Sequence, residues 1–218
     1  MKKLIALMTL FAVLLSATAF AADSPWDDSK TIFVDGDVSV TAEQREAGLP
    51  IFEIKLENGG VMRGELYPQI APESVGNFIL LSNSGFYDGL IFHRVIAGFV
   101  LQGGCPLGEG YGGPGWQIKG EFAANGVENG LRHSYGMLSM ARSQQNDSAG
   151  SQFFIMSGDA PFLDGNYAAF GKVIEGMEYA YDIAAVPQGA NNKPLEPQTI
   201  KSVRVETFGV DYPFTKIQ

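Results

Sequence analysis

Residues that form covalent cross-links or bind metals are scarce in this chain of 218 residues. Its one cysteine, Cys105, has no partner for an intramolecular disulfide, so the fold depends on its apolar core even in an oxidising compartment. The two histidines, His93 and His133, stand far apart in the sequence, and no other metal-ligand spacing accompanies them. We therefore expect no metal ion and no other cofactor.

Positive charge is also scarce. The chain has 15 Lys and Arg against 24 Asp and Glu, which gives a formal net charge of −9. Residues 1–21 carry only Lys2 and Lys3 as charged side chains, so removing that segment leaves a net charge of −11. An acidic chain is a poor partner for nucleic acid and for anionic membrane surfaces. We expect no nucleic-acid partner.

Long apolar runs are confined to the N-terminus. Residues 4–15 are uncharged but too short to span a membrane, and two lysines precede them. Residues 19–21, Ala-Phe-Ala, place small residues at the spacing that a signal peptidase accepts. The pattern predicts a signal peptide at residues 1–21 and export to the periplasm or the extracellular medium. The alternative is an uncleaved N-terminal anchor. No later stretch predicts a membrane span, so no integral membrane association is expected.

The rest of the chain predicts one domain that acts as a monomer. The residues after position 21 are enough to bury a full core. Residues 22–48 are predicted to be an N-terminal extension, with a possible short helix at residues 41–44. Residues 49–218 are predicted to be the folded domain, whose last residues, 212–218, form a tail on its surface.

Short apolar runs separated by glycine-rich turns dominate the predicted domain. Ile51–Leu56 and Val61–Leu66 flank the turn sequence Glu-Asn-Gly-Gly, which predicts a β-hairpin. Six further runs predict strands at residues 90–96, 99–102, 136–141, 152–156, 168–173 and 201–208. Residues 71–81 and 177–186 instead show helical spacing of apolar residues. We expect a mainly β fold, a closed antiparallel eight-stranded β-barrel capped by two α-helices.

The densest group of chemically useful side chains lies in residues 92–104. Arg94 and Gln102 stand there among aromatic and aliphatic residues. If Arg94 and Phe99 share a face, a guanidinium group lies at the rim of an apolar pocket, which suits binding of a carbonyl group beside a hydrophobic ring. Proline in a peptide is such a target. An arginine beside aromatic residues is equally often a surface residue that packs its stem on a sheet.

Several blocks of the sequence resemble the cyclophilin family of peptidyl-prolyl cis-trans isomerases. The first has Phe-His-Arg at residues 92–94, Gly-Phe at 98–99 and Gln-Gly-Gly at 102–104. Four more follow in family order at residues 137–142, 151–155, 162–165 and 170–176. The resemblance as a whole covers residues 51–206. A single triplet would be a weak signal, but several blocks in one order are specific.

The resemblance implies which residues form the site. Arg94 is then the catalytic arginine and Gln102 its hydrogen-bonding neighbour. The proline pocket and the groove for the substrate backbone would be formed by Phe99, Val100, Phe154, Leu163, Ala141 and Arg142, with Phe162 and Tyr167 beside them. The family usually has Met at position 100 and often Asn at 142. Many eukaryotic members have Trp at 162 and His at 167.

Some residues in this region have simpler explanations. Residues 108–113 match the spacing Gly-x-Gly-x-x-Gly, but Pro114 follows where a phosphate-binding helix would begin, so a loop is predicted. His93 and His133 are predicted to make structural hydrogen bonds. Cys105 has no neighbouring cue for a lowered pKa and is predicted to be inert. In strand 152–156, alternation sends Phe153 and Phe154 to opposite faces, and the resemblance implies that Phe153 enters the core and Phe154 the pocket.

The predicted function is acceleration of X-Pro isomerisation in unfolded or flexible proline-containing polypeptides, which assists the folding of exported proteins. Uncatalysed isomerisation takes tens of seconds or longer. One alternative is a proline-segment binding module or chaperone with little catalysis. Another is a barrel that carries a small ligand, but the bulky residues that alternate in its strands indicate a filled interior.

Overall fold

The computed structural model describes residues 46–217. The predicted signal peptide at residues 1–21, the possible helix at 41–44 and most of the predicted extension at 22–48 lie outside these residues. The division into domains therefore stays a prediction. Among the described residues, no helix is both long enough and apolar enough to cross a membrane.

Eight strands and two α-helices form the described part of the chain, and each corresponds to a run predicted from the sequence. The helices are α1 (Pro72–Asn83) and α2 (Met177–Ala185). The strands are β1 (Ile51–Leu56), β2 (Val61–Leu66), β3 (Arg94–Ile96), β4 (Val100–Gly103), β5 (Met137–Met140), β6 (Phe153–Met156), β7 (Ala169–Glu175) and β8 (Ile200–Glu206). The prediction of a mainly β fold with two helices is confirmed.

The eight strands form one strongly curled antiparallel sheet in the order β3-β4-β6-β5-β7-β2-β1-β8. The predicted closed barrel is wrong, because β3 and β8 are edge strands that do not pair with each other within residues 46–217. The predicted strand at residues 90–96 is correspondingly shorter, since β3 begins only at Arg94. The backbone just before it instead bonds to the chain leading into β8, through an isolated bridge between Ile91 and Thr199.

The turn between β1 and β2 shows why the predicted hairpin forms where it does. Gly59 has a φ of 89°, a conformation that residues with a side chain rarely adopt. The Asn58 side chain accepts a hydrogen bond from the Gly60 amide at 2.9 Å. The Leu56 amide donates to the Gly60 carbonyl at 2.8 Å, which closes the turn. Asparagine and glycine are both typical turn residues, which is why the sequence predicted this turn.

Aromatic side chains fill the space between the sheet and α1. Phe78 of α1 is fully buried, and its ring centroid lies 5.3 to 6.1 Å from those of four other aromatic rings. Those four are Phe52, Tyr87, Phe153 and Phe170. Three of these contacts are edge-on or tilted by more than 50°, the geometry that aromatic pairs favour over face-to-face stacking. This cluster fixes the helix against the face of the sheet that bears the main core.

The start of α1 is stabilised by a residue distant in the sequence. Its first residues follow Ala71, whose side chain cannot cap a helix. The buried carboxylate of Glu121 supplies the missing acceptors, because it accepts hydrogen bonds from the backbone amides of Glu73 and Ser74, each at 2.8 Å. The Ser74 hydroxyl donates to the same carboxylate at 2.6 Å. The loop that carries Glu121 is thereby joined to the helix.

The last described residues, 212–217, lie against the domain. We call them the C-terminal segment. The Thr215 amide donates to the Glu73 carboxylate at 2.6 Å, and Ile217 pairs with Gln117 in an isolated antiparallel bridge. The predicted surface tail therefore lies on the domain surface, and it is attached there through specific contacts.

Candidate active site

Strand register places the two predicted catalytic residues and the predicted pocket aromatic in one row. Arg94 on β3 is paired with Gln102 on β4, and Gln102 is paired with Phe154 on β6. Directly paired residues of antiparallel strands project from the same face of a sheet. Arg94, Gln102 and Phe154 therefore lie side by side. The alternation of β6 sends the neighbouring Phe153 to the opposite face, into the main core, as predicted.

A chain of side-chain hydrogen bonds holds the arginine in place. The Arg94 guanidinium donates to Gln102 Oε1 at 3.2 Å, and Gln102 Nε2 donates to Gln152 Oε1 at 3.0 Å. Gln152 Nε2 in turn donates to the carbonyl groups of Gly110 and Gly112, at 2.8 and 2.9 Å. Arg94 is half-buried and uses only part of its five-donor fork here, so further donors remain available for a ligand.

Gln152 is a site residue that was not predicted from the sequence. It precedes Phe153 on β6, so the period of two places it on the same face as Phe154. Its position on the same face as the predicted pocket residue Phe154 was the sequence signal that could have identified it. Gln152 connects the strands to the glycine-rich loop and thereby positions both.

An apolar cluster separate from the main core lies next to this row. Phe154, Val100 and Leu163 are buried in it, and Phe99, Ala141 and Tyr167 are partly buried around it. All six were predicted as pocket or groove residues. The remaining members of the cluster are Met137, Met156, Ala160, Ala169 and Leu131. The arrangement places a guanidinium group next to an apolar surface, as the sequence predicted.

Phe162 and Arg142 differ in how free their side chains are to contact a ligand. Phe162 is 69% exposed, and its ring centroid lies 5.6 Å from that of Phe99. The Arg142 guanidinium donates to the backbone carbonyl of Asn166 through Nε at 3.0 Å and Nη2 at 2.9 Å. Its carbon Cζ also lies 4.7 Å from the ring centroid of Tyr167. Arg142 thus mainly fixes the loop around Asn166, whereas Phe162 presents a bare aromatic face.

His133 supports the pocket from behind. Its imidazole ring stacks on Phe154 with centroids 6.0 Å apart. The ring bonds to Asp164 Oδ1 through Nδ1 at 2.9 Å and to Ser139 Oγ through Nε2 at 3.0 Å. The prediction of structural hydrogen bonds is confirmed for this histidine. Burial lowers the pKa of His133, and the neighbouring Asp164 carboxylate only partly opposes this shift. The protonated ring is therefore disfavoured in the folded protein.

His93 is held differently. It is 6% exposed, and neither ring nitrogen makes a hydrogen bond of standard geometry among the described residues. A weaker interaction with the Gln152 side chain opposes the lowering of its pKa. Burial lowers its pKa, and the positive charges of Lys193 and Arg94 lower it further. A proton on this ring is therefore disfavoured in the folded state.

We expect the free energy of unfolding to fall as the pH is lowered through about 6.5, the ordinary pKa of histidine. His93 and His133 both have lowered pKa values in the folded state, so only the unfolded chain takes up these protons readily. Each histidine contributes a slope of at most about 1.4 kcal/mol per pH unit. Urea unfolding measured between pH 7.5 and 6 checks this.

The matched controls are the single variants His93→Gln and His133→Gln, each of which removes one of the two histidines of the chain. Each variant is expected to show a shallower pH dependence than the wild type, whatever its absolute stability. An unchanged slope in both variants would show that other groups determine the pH dependence.

The glycine-rich segment at residues 108–113 is a loop, and no helix follows it before Gln117. The prediction against a phosphate-binding helix is confirmed. The loop folds back over Cys105, whose sulfur accepts hydrogen bonds from the amides of Gly110 and Gly112 at 3.2 and 3.3 Å. Burial raises the pKa of this thiol, but the backbone hydrogen bonds outweigh it and the pKa is lowered. No sequence pattern indicates this shift in the pKa of Cys105, because it arises from loop geometry.

Comparison with known proteins identifies the family. The family model described as "Cyclophilin type peptidyl-prolyl cis-trans isomerase/CLD" matches residues 51–205. The chain belongs to the cyclophilin family. Peptidyl-prolyl cis-trans isomerase B of Bacillus subtilis is 51% identical over 129 residues, which are 59% of this chain and 87% of that protein. This cyclophilin is a peptidyl-prolyl cis-trans isomerase.

Solved structures agree with this family assignment. The crystal structure of a cyclophilin type isomerase from Cryptosporidium parvum has a TM-score of 0.66 and 33% sequence identity. It covers 72% of this chain and 98% of its own. The same protein in the presence of the dipeptide Ala-Pro has a TM-score of 0.65, 35% identity and the same coverage. The mainly β fold of this cyclophilin is therefore the fold of its family.

Proposed function

We propose that this cyclophilin isomerises X-Pro bonds in unfolded or flexible segments of exported proteins, that it acts as a monomer, and that Arg94 and Gln102 are its catalytic residues. The observation that supports this best is the row formed by Arg94, Gln102 and Phe154, in which a hydrogen-bonded guanidinium group lies beside an apolar cluster. The solved Cryptosporidium relative studied with Ala-Pro supports the same substrate class.

The reaction requires stabilisation of a twisted amide. Resonance gives the C–N bond a rotation barrier of about 18–20 kcal/mol. Rotation breaks this resonance and turns the proline nitrogen into a hydrogen-bond acceptor. A donor fixed where the lone pair develops binds the twisted state better than either planar isomer, and this difference lowers the barrier. Arg94 is such a donor, because its hydrogen bond to Gln102 fixes its position.

The pocket contributes by holding the ring while the rest of the chain rotates. Phe99, Phe154 and Leu163 form apolar surface that fits the pyrrolidine ring. Ala141 and Tyr167 border the same cluster and face the substrate backbone. Because no bond to the protein forms or breaks, the step needs no nucleophile, general base or cofactor. The exposed ring of Phe162 extends the apolar surface beyond Phe99.

The direct test measures the cis-to-trans rate of a short Ala-Pro peptide with purified protein. The uncatalysed reaction takes tens of seconds, and we expect the protein to accelerate it. Saturable binding of the peptide without acceleration would instead support a binding module or chaperone, and would overturn the catalytic role of Arg94.

Export is proposed on sequence grounds alone. Residues 1–21 combine two lysines, a short apolar run and Ala-Phe-Ala at the end. Expression of the full chain in a bacterium is expected to give a mature protein that begins at Ala22 in the periplasm or medium. Retention of residues 1–21 on the recovered protein would overturn this part of the proposal.

A further inference from the structure

A long groove continues from the candidate active site along the protein surface. It has a volume of about 910 Å³ and shares Gln102, Gln152, Ala141 and Arg142 with the site described above. The glycine-rich loop, Trp116 and Ile217 also line it. We call this region the extended groove. Through Gln102 and Ala141 it borders the residues proposed to bind the substrate proline.

The far end of the extended groove is formed by chain outside the family match. That match ends at residue 205, whereas Ile217 belongs to the C-terminal segment. Ile217 is held by two backbone hydrogen bonds with Gln117, both at 2.8 Å. The Lys216 ammonium group lies 3.8 Å from the ring centroid of Trp116. Phe214 packs against the main core, and Thr215 bonds to Glu73.

The lining of the extended groove indicates which side chains it suits. None of the described residues that line it is acidic, although the chain as a whole has a net charge of −9. Its one charged lining residue, Arg142, already donates to backbone carbonyls. Its apolar lining residues are Ala141, Pro106, Leu107, Tyr111, Pro114, Trp116 and Ile217. Leu107 and Tyr111 are 52% and 77% exposed, so residues 46–217 leave much of their apolar surface uncovered.

We infer that the C-terminal segment completes a second binding site for the substrate chain, in which Ile217 and Leu107 contact an apolar side chain several residues away from the proline. This inference rests on the proposed function, because the same polypeptide must occupy both sites. Binding energy gained at a distance from the reacting bond raises kcat/KM for substrates that reach the groove. The segment thus determines specificity and takes no part in the chemical step.

The experiment compares peptides that differ only in their flanks. The reference peptide has Ala-Pro at its centre, with glycine and serine on both sides. In the test peptides one leucine is moved through the positions two to five residues before or after the proline. For wild type we expect one or two positions at which leucine raises kcat/KM about fivefold or more, as partial burial of one leucine side chain supplies.

Two groove variants and one control test whether Ile217 and Leu107 cause the preference for leucine. Ile217→Ser and Leu107→Ser are each expected to reduce the leucine preference, defined as the ratio of kcat/KM for the test and reference peptides, at least threefold. Ile217→Ser keeps the backbone amide and carbonyl that bond to Gln117. Val210→Ser is the matched control, because Val210 is 51% exposed, follows the same strand and does not line the groove. It is expected to keep the wild-type ratio.

The outcomes separate this inference from the proposed function. If the reference peptide is not accelerated by wild type, the proposed function fails. If it is accelerated but leucine has no effect at any position, the inference alone is overturned. The inference is also overturned if Ile217→Ser lowers kcat/KM for both peptides by the same factor, because a purely structural role would do that and leave the ratio unchanged.

Discussion

Replacing Arg94 with alanine is expected to lower kcat/KM for an Ala-Pro peptide by about 100- to 1,000-fold, the usual loss when one preorganised donor is removed from a transition state. Arg94 is the residue whose guanidinium both contacts Gln102 and lies in the row with Phe154. Its main hydrogen-bond partner, Gln102, is also bonded to Gln152, so the rest of the site stays in place. The variant should therefore fold normally.

Two further variants test whether the loss belongs to this guanidinium group. Arg132→Ala removes the same charge from an exposed position outside the row and should keep near wild-type activity. Arg94→Lys keeps the charge but loses the planar fork, so an intermediate rate is expected. Circular dichroism and the unfolding midpoint establish that each variant is folded. A folded Arg94→Ala protein with more than a third of wild-type kcat/KM would refute the catalytic role.

Replacing Phe153 with alanine is expected to lower the free energy of unfolding by about 3–5 kcal/mol, as for other large aromatic residues removed from a core. Phe153 is fully buried, and its ring lies against those of Phe78, Tyr87 and Phe92. Removing it leaves a cavity at the point where α1 meets the sheet. In a domain of this size the melting temperature should fall by roughly 6–20 °C. Urea unfolding and thermal melts measure both quantities.

The matched control is Phe162→Ala, which makes the same chemical change at a side chain that is 69% exposed. Its unfolding free energy should change by less than about 0.5 kcal/mol, as is usual for surface substitutions. A similar loss of stability in both variants would mean that the burial of Phe153 does not explain the lower unfolding free energy of Phe153→Ala. Because Phe153 faces away from the row of Arg94 and Phe154, the protein that remains folded should still catalyse the reaction.

The sequence predicted the elements of this fold well, because most of its strands bury one face. Phe153 and Phe154 show the principle: adjacent residues of one strand go to two different apolar clusters, as alternation requires. The closed barrel was not a safe prediction from the same pattern. Whether the first and last strands of a sheet pair depends on curvature and register, which the spacing of apolar residues does not report.

The candidate site was predictable to the extent that it lies on strands. Arg94, Gln102 and Phe154 come together through strand register, and the family resemblance named all three. The contacts made by loops were not predictable. Gln152 bonds to the carbonyl groups of Gly110 and Gly112, which reach it only because the loop folds back. The amides that bond to the sulfur of Cys105 belong to the same loop, and no sequence pattern encodes their direction.

The gap between the two edge strands has a consequence for the proposed action on unfolded chains. An open edge with free backbone groups can add a strand from another polypeptide and start aggregation. Here β3 has only three residues, and the chain before it is bonded to residues 198–200, with the Phe92 amide donating to Gln198 and the Ile200 amide to Leu90. Little backbone is left at that edge to pair with a substrate strand. At the β3 edge, the enzyme therefore has little open backbone to which a bound polypeptide could add a strand.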